Sequence, residues 1–150
     1  MELKIPPPLV ALAVAFVMWL LVKVFPVTQI PDLLRYSFSL TFAWMGIAID
    51  VAAMTAFYRA KTTINPCDPS KTTSLIENGI YRISRNPMYL GVLFLLLAWA
   101  AYLGSLLALT GPILFVIYLN QFQIRPEEQI LEERFGKAYV DYSLRVRRWI

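Results

Sequence analysis

Four apolar runs leave little room for a water-soluble fold. They cover about Pro8 to Phe25, Leu33 to Tyr58, Met88 to Leu103 and Leu106 to Gln123 of a 150-residue chain that is 58% hydrophobic. A core of this size cannot hide them all, so a lipid bilayer has to solvate part of their surface. The expected fold is all-α: one integral membrane domain of about four transmembrane helices. Ala13-Val14-Ala15 has the form of a signal-cleavage site, but the run continues past it and reads as a retained anchor. Only Gly104-Ser105 separates the last two runs, which predicts a tight antiparallel hairpin. The third run is short: its sixteen residues would reach about 24 Å as a helix, against a hydrocarbon layer of about 30 Å. Either that helix extends past its apolar part or the bilayer thins around it. Gly111-Pro112 falls in the first turns of the fourth run, where a proline kinks a helix least.

The charges set the orientation. Lys4, the stretch from Arg59 to Arg85 and the tail from Arg125 place twelve basic residues on one side of a four-crossing bundle, against Lys23 and Arg35 on the other. Basic residues concentrate in cytoplasmic loops, so both termini and the 59–87 loop are expected to face the cytoplasm. The chain then divides into residues 1–58, two N-terminal spans, and 59–150, which hold the polar motifs. The loop "TTINPCDPSKTTSL" has turn chemistry at Asn65-Pro66 and Asp68-Pro69. In the tail, Pro126 suits a first helical position, with Glu127 and Glu128 in the first turn. Leu131, Phe135, Tyr139 and Tyr142 share one face at helical spacing, so the tail should lie on the membrane surface or fold back over the bundle.

Several chemistries drop out at once. The chain has no histidine and one cysteine, Cys67, which removes His-based general bases, Ser-His-Asp hydrolysis, His-rich metal sites and an internal disulfide framework. No metal and no nucleic-acid partner are expected.

The polar residues concentrate in "GIYRISRNPMYLG", residues 79–91. Pro87 biases Asn86 out of the helical region and starts a helix behind it. The unpaired N–H groups of that start favour a carboxylate or phosphate, and Tyr81 and Tyr89 bracket it. The plainer reading makes Arg82 and Arg85 interfacial anchors and the tyrosines an aromatic belt. Glu127 and Glu128 likewise read either as dipole complements or as a seat for an ammonium group. The hairpin returns the chain to the side it left, so the two clusters meet. Together they match a zwitterionic amino acid carrying a flat ring, the shape of S-adenosylmethionine, although other mixed-charge ligands fit as well. Asp50, an acid inside a span, reads either as facing a cavity or as reaching water or Arg59 at the membrane edge. Asn120, Gln121 and Gln123 read as interfacial polars, with pocket lining as the alternative.

"ENGIYRISRNPMYLG", the hairpin, "RPEEQILEERFGKAYVDY" and "VRRWI", in that order, resemble the isoprenylcysteine carboxyl methyltransferase and phospholipid methyltransferase superfamily of integral membrane enzymes, over about residues 60 to 150. The family collar Arg-His/Asn-Pro-x-Tyr appears here as Arg85-Asn86-Pro87-Met88-Tyr89. The resemblance implies an S-adenosyl-L-methionine-dependent methyltransferase. It assigns cofactor binding to Thr73, Ser74, Leu75 and Ile76, to Tyr81, to Asn86, Pro87, Met88 and Tyr89, and to Glu127 and Glu128. Arg125 is the nearest candidate for a substrate-contacting arginine. An amine acceptor would have to lose a proton, and without histidine that role falls to a carboxylate such as Asp50 or Glu128, or to water. The implied partners are membrane lipids and a lipophilic acceptor, either an isoprenylcysteine-like carboxylate or a phospholipid amine. Two other readings stay open: an NADPH-binding membrane reductase with a similar C-terminal region, and a non-catalytic helical scaffold.

Overall fold

The computed structural model describes residues 5–25, 30–60 and 75–150. Among these residues every regular element is helical. Pro7 sits in the first turn of α1 (Pro7–Val24), where its fixed φ suits a helix and its missing N–H leaves nothing unpaired. The second helix, α2 (Asp32–Ala60), opens on Asp32, an acid that complements the positive end of the helix dipole. A short 3-10 turn (Gly79–Arg82) leads into α3 (Pro87–Leu103). Gly104, at φ 68°, closes α3 by donating its N–H to the carbonyls of Ala100 and Ala101, a left-handed cap that glycine adopts without penalty.

Helices α1 and α2 and the helical run 106–135 are long and apolar enough to cross a membrane, and α3 is a shorter apolar helix. The molecule is an all-α membrane bundle. The short third run gains only Pro87, so α3 does not lengthen beyond its apolar part. Its hairpin partner starts later than the hydropathy implies: Leu106–Leu109 form a 3-10 turn, with the Ser105 hydroxyl accepting from Leu107 N–H, and α4 covers Thr110–Leu119.

Glycine sets how closely these helices approach. A Cβ at Gly46 would lie 2.8 Å from the Gly91 carbonyl oxygen, and one at Gly111 would strike Met18. The α2–α3 and α1–α4 contacts therefore depend on bare backbone. Gly46→Val should lower stability by about 2 kcal/mol through overpacking, more than the helix propensity it gains. Thermal unfolding in detergent, compared with the wild type, checks this. The core they enclose contains Met18, Leu96, Ala100, Ala108, Phe115, Leu119 and Ile124. Trp99 Nε1 donates to the Ala15 carbonyl at 3.0 Å and ties α1 to α3.

The two ends of the bundle are unlike. At one, Arg35 lies against Gly104, its guanidinium 5.0 and 5.4 Å from the ring centres of Tyr36 and Tyr102. That places a cation by the negative end of α3. At the other, the Phe57 ring meets the Tyr81 ring edge-on at 5.6 Å, and α5 (Arg125–Phe135), which ends the run 106–135, leads into α6 (Lys137–Arg145). Gly136, at φ 52°, breaks the tail between them. Tyr139, Tyr142 and Val146 form a small core with Leu75, Leu131 and Phe135. The tail folds back over the collar, where the Tyr142 hydroxyl donates to the Tyr81 carbonyl at 2.7 Å.

Pro126 does not open a fresh helix. A π turn, Asn120–Ile124, carries α4 into α5 without a break, and Arg125 N–H bonds the Asn120 carbonyl. Widening the backbone by one residue lets a proline follow without ending the run.

A candidate cofactor site at the collar

Tyr89 stands in the first turn of α3, a buried member of the apolar core, and Glu127 in the first turn of α5. The Tyr89 hydroxyl donates to Glu127 Oε1 at 2.6 Å. Gln123 Nε2 donates to the same oxygen at 2.6 Å and lies 3.3 Å from the Tyr89 hydroxyl. Gln123 is only 3% exposed; it is a central part of the site rather than an interfacial polar. Two donors converge on one oxygen of Glu127, and among the described residues the other oxygen has no partner. The carboxylate is held in place and still has acceptor capacity.

Glu128 is arranged differently. Arg148 grips it with a fork, Nε to Oε1 at 3.0 Å and Nη2 to Oε2 at 2.6 Å, while Arg85 Nη2 reaches Oε1 at 3.1 Å. Glu128 in turn holds the Arg148 guanidinium above its usual pKa. With both oxygens engaged, Glu128 is a keystone of the tail and not an open acceptor.

The C-terminal residues lace the collar together. The Arg148 carbonyl accepts from Asn86 Nδ2 at 3.0 Å and from the Ser84 hydroxyl at 3.4 Å, and the Arg147 carbonyl accepts from Arg85 N–H at 3.0 Å. Trp149 Nε1 donates to Asn120 Oδ1, at the start of the π turn. Because Asn86 turns to this strap, α3 has no side-chain cap at its N-terminus. Burial pushes the Tyr139 phenol up to about 12 and raises those of Tyr81 and Tyr142 as well. All three therefore stay neutral donors at physiological pH.

Of the other residues singled out in the sequence, Pro87 is buried and Met88 half-buried at the start of α3. Leu75 packs under the tail, and Ile76 is half-buried beside it in the chain. Thr73, Ser74 and Cys67 lie outside the described residues. Arg125 is exposed and bonds Gln121 along the helix at 2.7 Å, apart from the Tyr89–Glu127 cluster. Asp50 lies against Gly91 on the α2–α3 seam, where a Cβ would collide with its carboxylate. It makes no ion pair with Arg59. Among the described residues no group of His, Cys, Asp and Glu is arranged to hold a metal ion.

The family profile for phospholipid methyltransferases matches residues 34–138, from the start of α2 through the collar, the hairpin and α5. The chain belongs to the phospholipid methyltransferase family. The matched stretch contains Asp50, Tyr89, Gln123, Glu127 and Glu128, while the strap beyond α6 lies outside it. An uncharacterised protein of Haemophilus influenzae is 51% identical over 63 residues, 42% of this chain and the whole of that protein. Protein-S-isoprenylcysteine O-methyltransferase B of Arabidopsis thaliana is 29% identical over 116 residues, and the Saccharomyces cerevisiae Protein-S-isoprenylcysteine O-methyltransferase is 36% identical over 78. These alignments take in 73% and 48% of this chain but only 56% and 30% of the two methyltransferases, so the chain spans little more than half of one and less than a third of the other. No solved structure matches the chain.

Proposed function

We propose that this chain is a membrane methyltransferase that uses S-adenosyl-L-methionine, with its site at the cytoplasmic rim and a lipophilic acceptor arriving through the bilayer. The observation that carries the reading is Glu127: one oxygen fixed by Tyr89 and Gln123, the other unengaged among the described residues. An ammonium group suits that second oxygen, and a charge-assisted bond there is about twice as strong as a neutral one. The uncapped start of α3 suits a carboxylate. An amino-acid group thus finds both its charges complemented within one collar, with Tyr81 beside it for the flat ring. When bound, the cofactor supplies an activated methyl group on a sulfonium. The chain's own residues orient it and exclude water, and orientation of this kind lowers a barrier by several kcal/mol.

Residues 59–150 carry the cofactor side of the site in this reading. The twelve-to-two distribution of basic residues supports its cytoplasmic placement. The test is calorimetry on the detergent-purified chain: S-adenosylmethionine and its demethylated product should both bind, and NADPH should not. A chain that binds neither methyl-cofactor form has lost this reading.

A further inference from the structure

Asp50 has no role in the collar as described, yet it is an acid within a membrane span. It lies ten residues before the end of α2 at Ala60, about 15 Å from it along the helix axis. Among the described residues it forms no hydrogen bond or ion pair. Carboxylates at such depth ordinarily face a cavity or pair with a cation, because hydrocarbon penalises an unpaired charge.

Its surroundings are built to admit it. Gly46 and Ala53, one turn to either side, are buried, Gly46 against Gly91 and Leu95 of α3, while Ile47 and Met54 are exposed on the outer face of α2. Asp50 stands at the border of these two stripes, half-buried. Across the seam the missing side chain of Gly91 leaves the notch its carboxylate occupies. Gly91 is four residues into α3 from Pro87, one turn below the collar. An anionic group therefore lies one helical turn beneath the cofactor rim, on a seam open toward lipid.

We propose that Asp50 receives the ammonium group of a membrane-borne amine acceptor and so decides the acceptor class by charge. The inference rests on the methyltransferase reading and narrows it: the same carboxylate repels the free carboxylate of an isoprenylcysteine. A protonated amine cannot attack the methyl group, so Asp50 also accepts one proton. The amine lone pair then forms the N–C bond as the S–C bond breaks, its electrons remaining on sulfur. Entry from the bilayer is favoured over entry from water because the flanking exposed residues, Ile47, Val51 and Met54, are apolar.

The experiment uses nanodiscs of phosphatidylglycerol doped with phosphatidylethanolamine, and the variants Asp50→Asn and Asp50→Glu. Native mass spectrometry should show the wild type retaining the amine lipid in preference to the bulk lipid. Asp50→Asn should lose that preference about tenfold, and Asp50→Glu should keep part of it. Labelled-methyl transfer to the amine lipid should fall at least a hundredfold in Asp50→Asn, with S-adenosylmethionine affinity within twofold of wild type. Free ethanolamine in water should be a poor acceptor, and farnesylated cysteine should not be methylated. Asp50→Asn removes a charge from the membrane, so its thermal stability should hold or rise. Unchanged lipid preference and transfer in Asp50→Asn overturns the inference, as does a wild type that prefers farnesylated cysteine or free ethanolamine. A wild type that fails to bind S-adenosylmethionine sinks the methyltransferase reading instead, and the lipid-retention arm still judges Asp50.

Discussion

Glu127→Ala should weaken S-adenosylmethionine binding at least a hundredfold, whereas Glu128→Gln should change it only a few-fold and lower thermal stability instead. The two residues are neighbours with the same chemistry, so the contrast comes from their partners. Glu127 offers a positioned oxygen that nothing in the described chain uses. Removing one side of an enclosed charged hydrogen bond costs about 2–5 kcal/mol, and a hundredfold corresponds to about 2.8 kcal/mol. Glu128 has spent both oxygens on Arg85 and Arg148. A glutamine there keeps one acceptor and turns an amide N–H₂ toward a guanidinium, a loss of about 2 kcal/mol. Calorimetry gives the affinities and thermal unfolding in detergent gives the stabilities. Should the larger affinity loss appear in Glu128→Gln, the roles drawn from the hydrogen bonds are reversed. Tyr89→Phe and Gln123→Ala provide a graded control, since each removes one donor from Glu127 and leaves the carboxylate in place.

Hydropathy and punctuation were enough to read the helices, because lipid solvation writes itself into composition and Gly104-Ser105 can only be a turn between two apolar runs. The meeting of Tyr89 with the glutamate pair was also legible, since a tight hairpin has to bring its two ends together. The part played by Gln123 was not. Taking Pro126 as a helix start put Gln123 and Glu127 on separate elements and hid their i,i+4 relation. The π turn at Asn120–Ile124 keeps one run continuous and places the two side chains side by side. The signal was present as a proline preceded by three amide side chains in four residues, Asn120, Gln121 and Gln123. Read as a continuous helix, that pattern puts an amide one turn before an acid. The separate fates of Glu127 and Glu128 depend on Arg148, twenty residues on in a segment without helical period, and no periodicity argument reaches it. Asp50 was visible as an anomaly, but its notch depends on Gly91 lying opposite, a matter of register between α2 and α3.

Arg148→Ala should destabilise the chain by about 2 kcal/mol and weaken cofactor binding roughly tenfold, and Arg148→Lys should recover less than half of the stability. The Arg148 and Glu128 side chains are 33% and 17% exposed, which sets the pair between two regimes. Exposed ion pairs contribute at most about 1 kcal/mol, and breaking a fully buried one costs about 3–5 kcal/mol. Lysine restores the charge but cannot make the two-pronged contact of Nε and Nη2. The effect on binding is indirect. The strap's backbone holds Ser84 and Asn86 through the Arg148 carbonyl, and Trp149 fixes Asn120 at the π turn that presents Gln123 and Glu127. Losing the side-chain fork loosens that lacing without removing any group that touches the cofactor. The affinity lost in Arg148→Ala should therefore return when measured at lower temperature, where the strap is better populated. In Glu127→Ala, where the contact itself is gone, cooling should restore nothing. An Arg148→Ala protein with wild-type melting and wild-type affinity would mean that the tail rests on the collar without holding it.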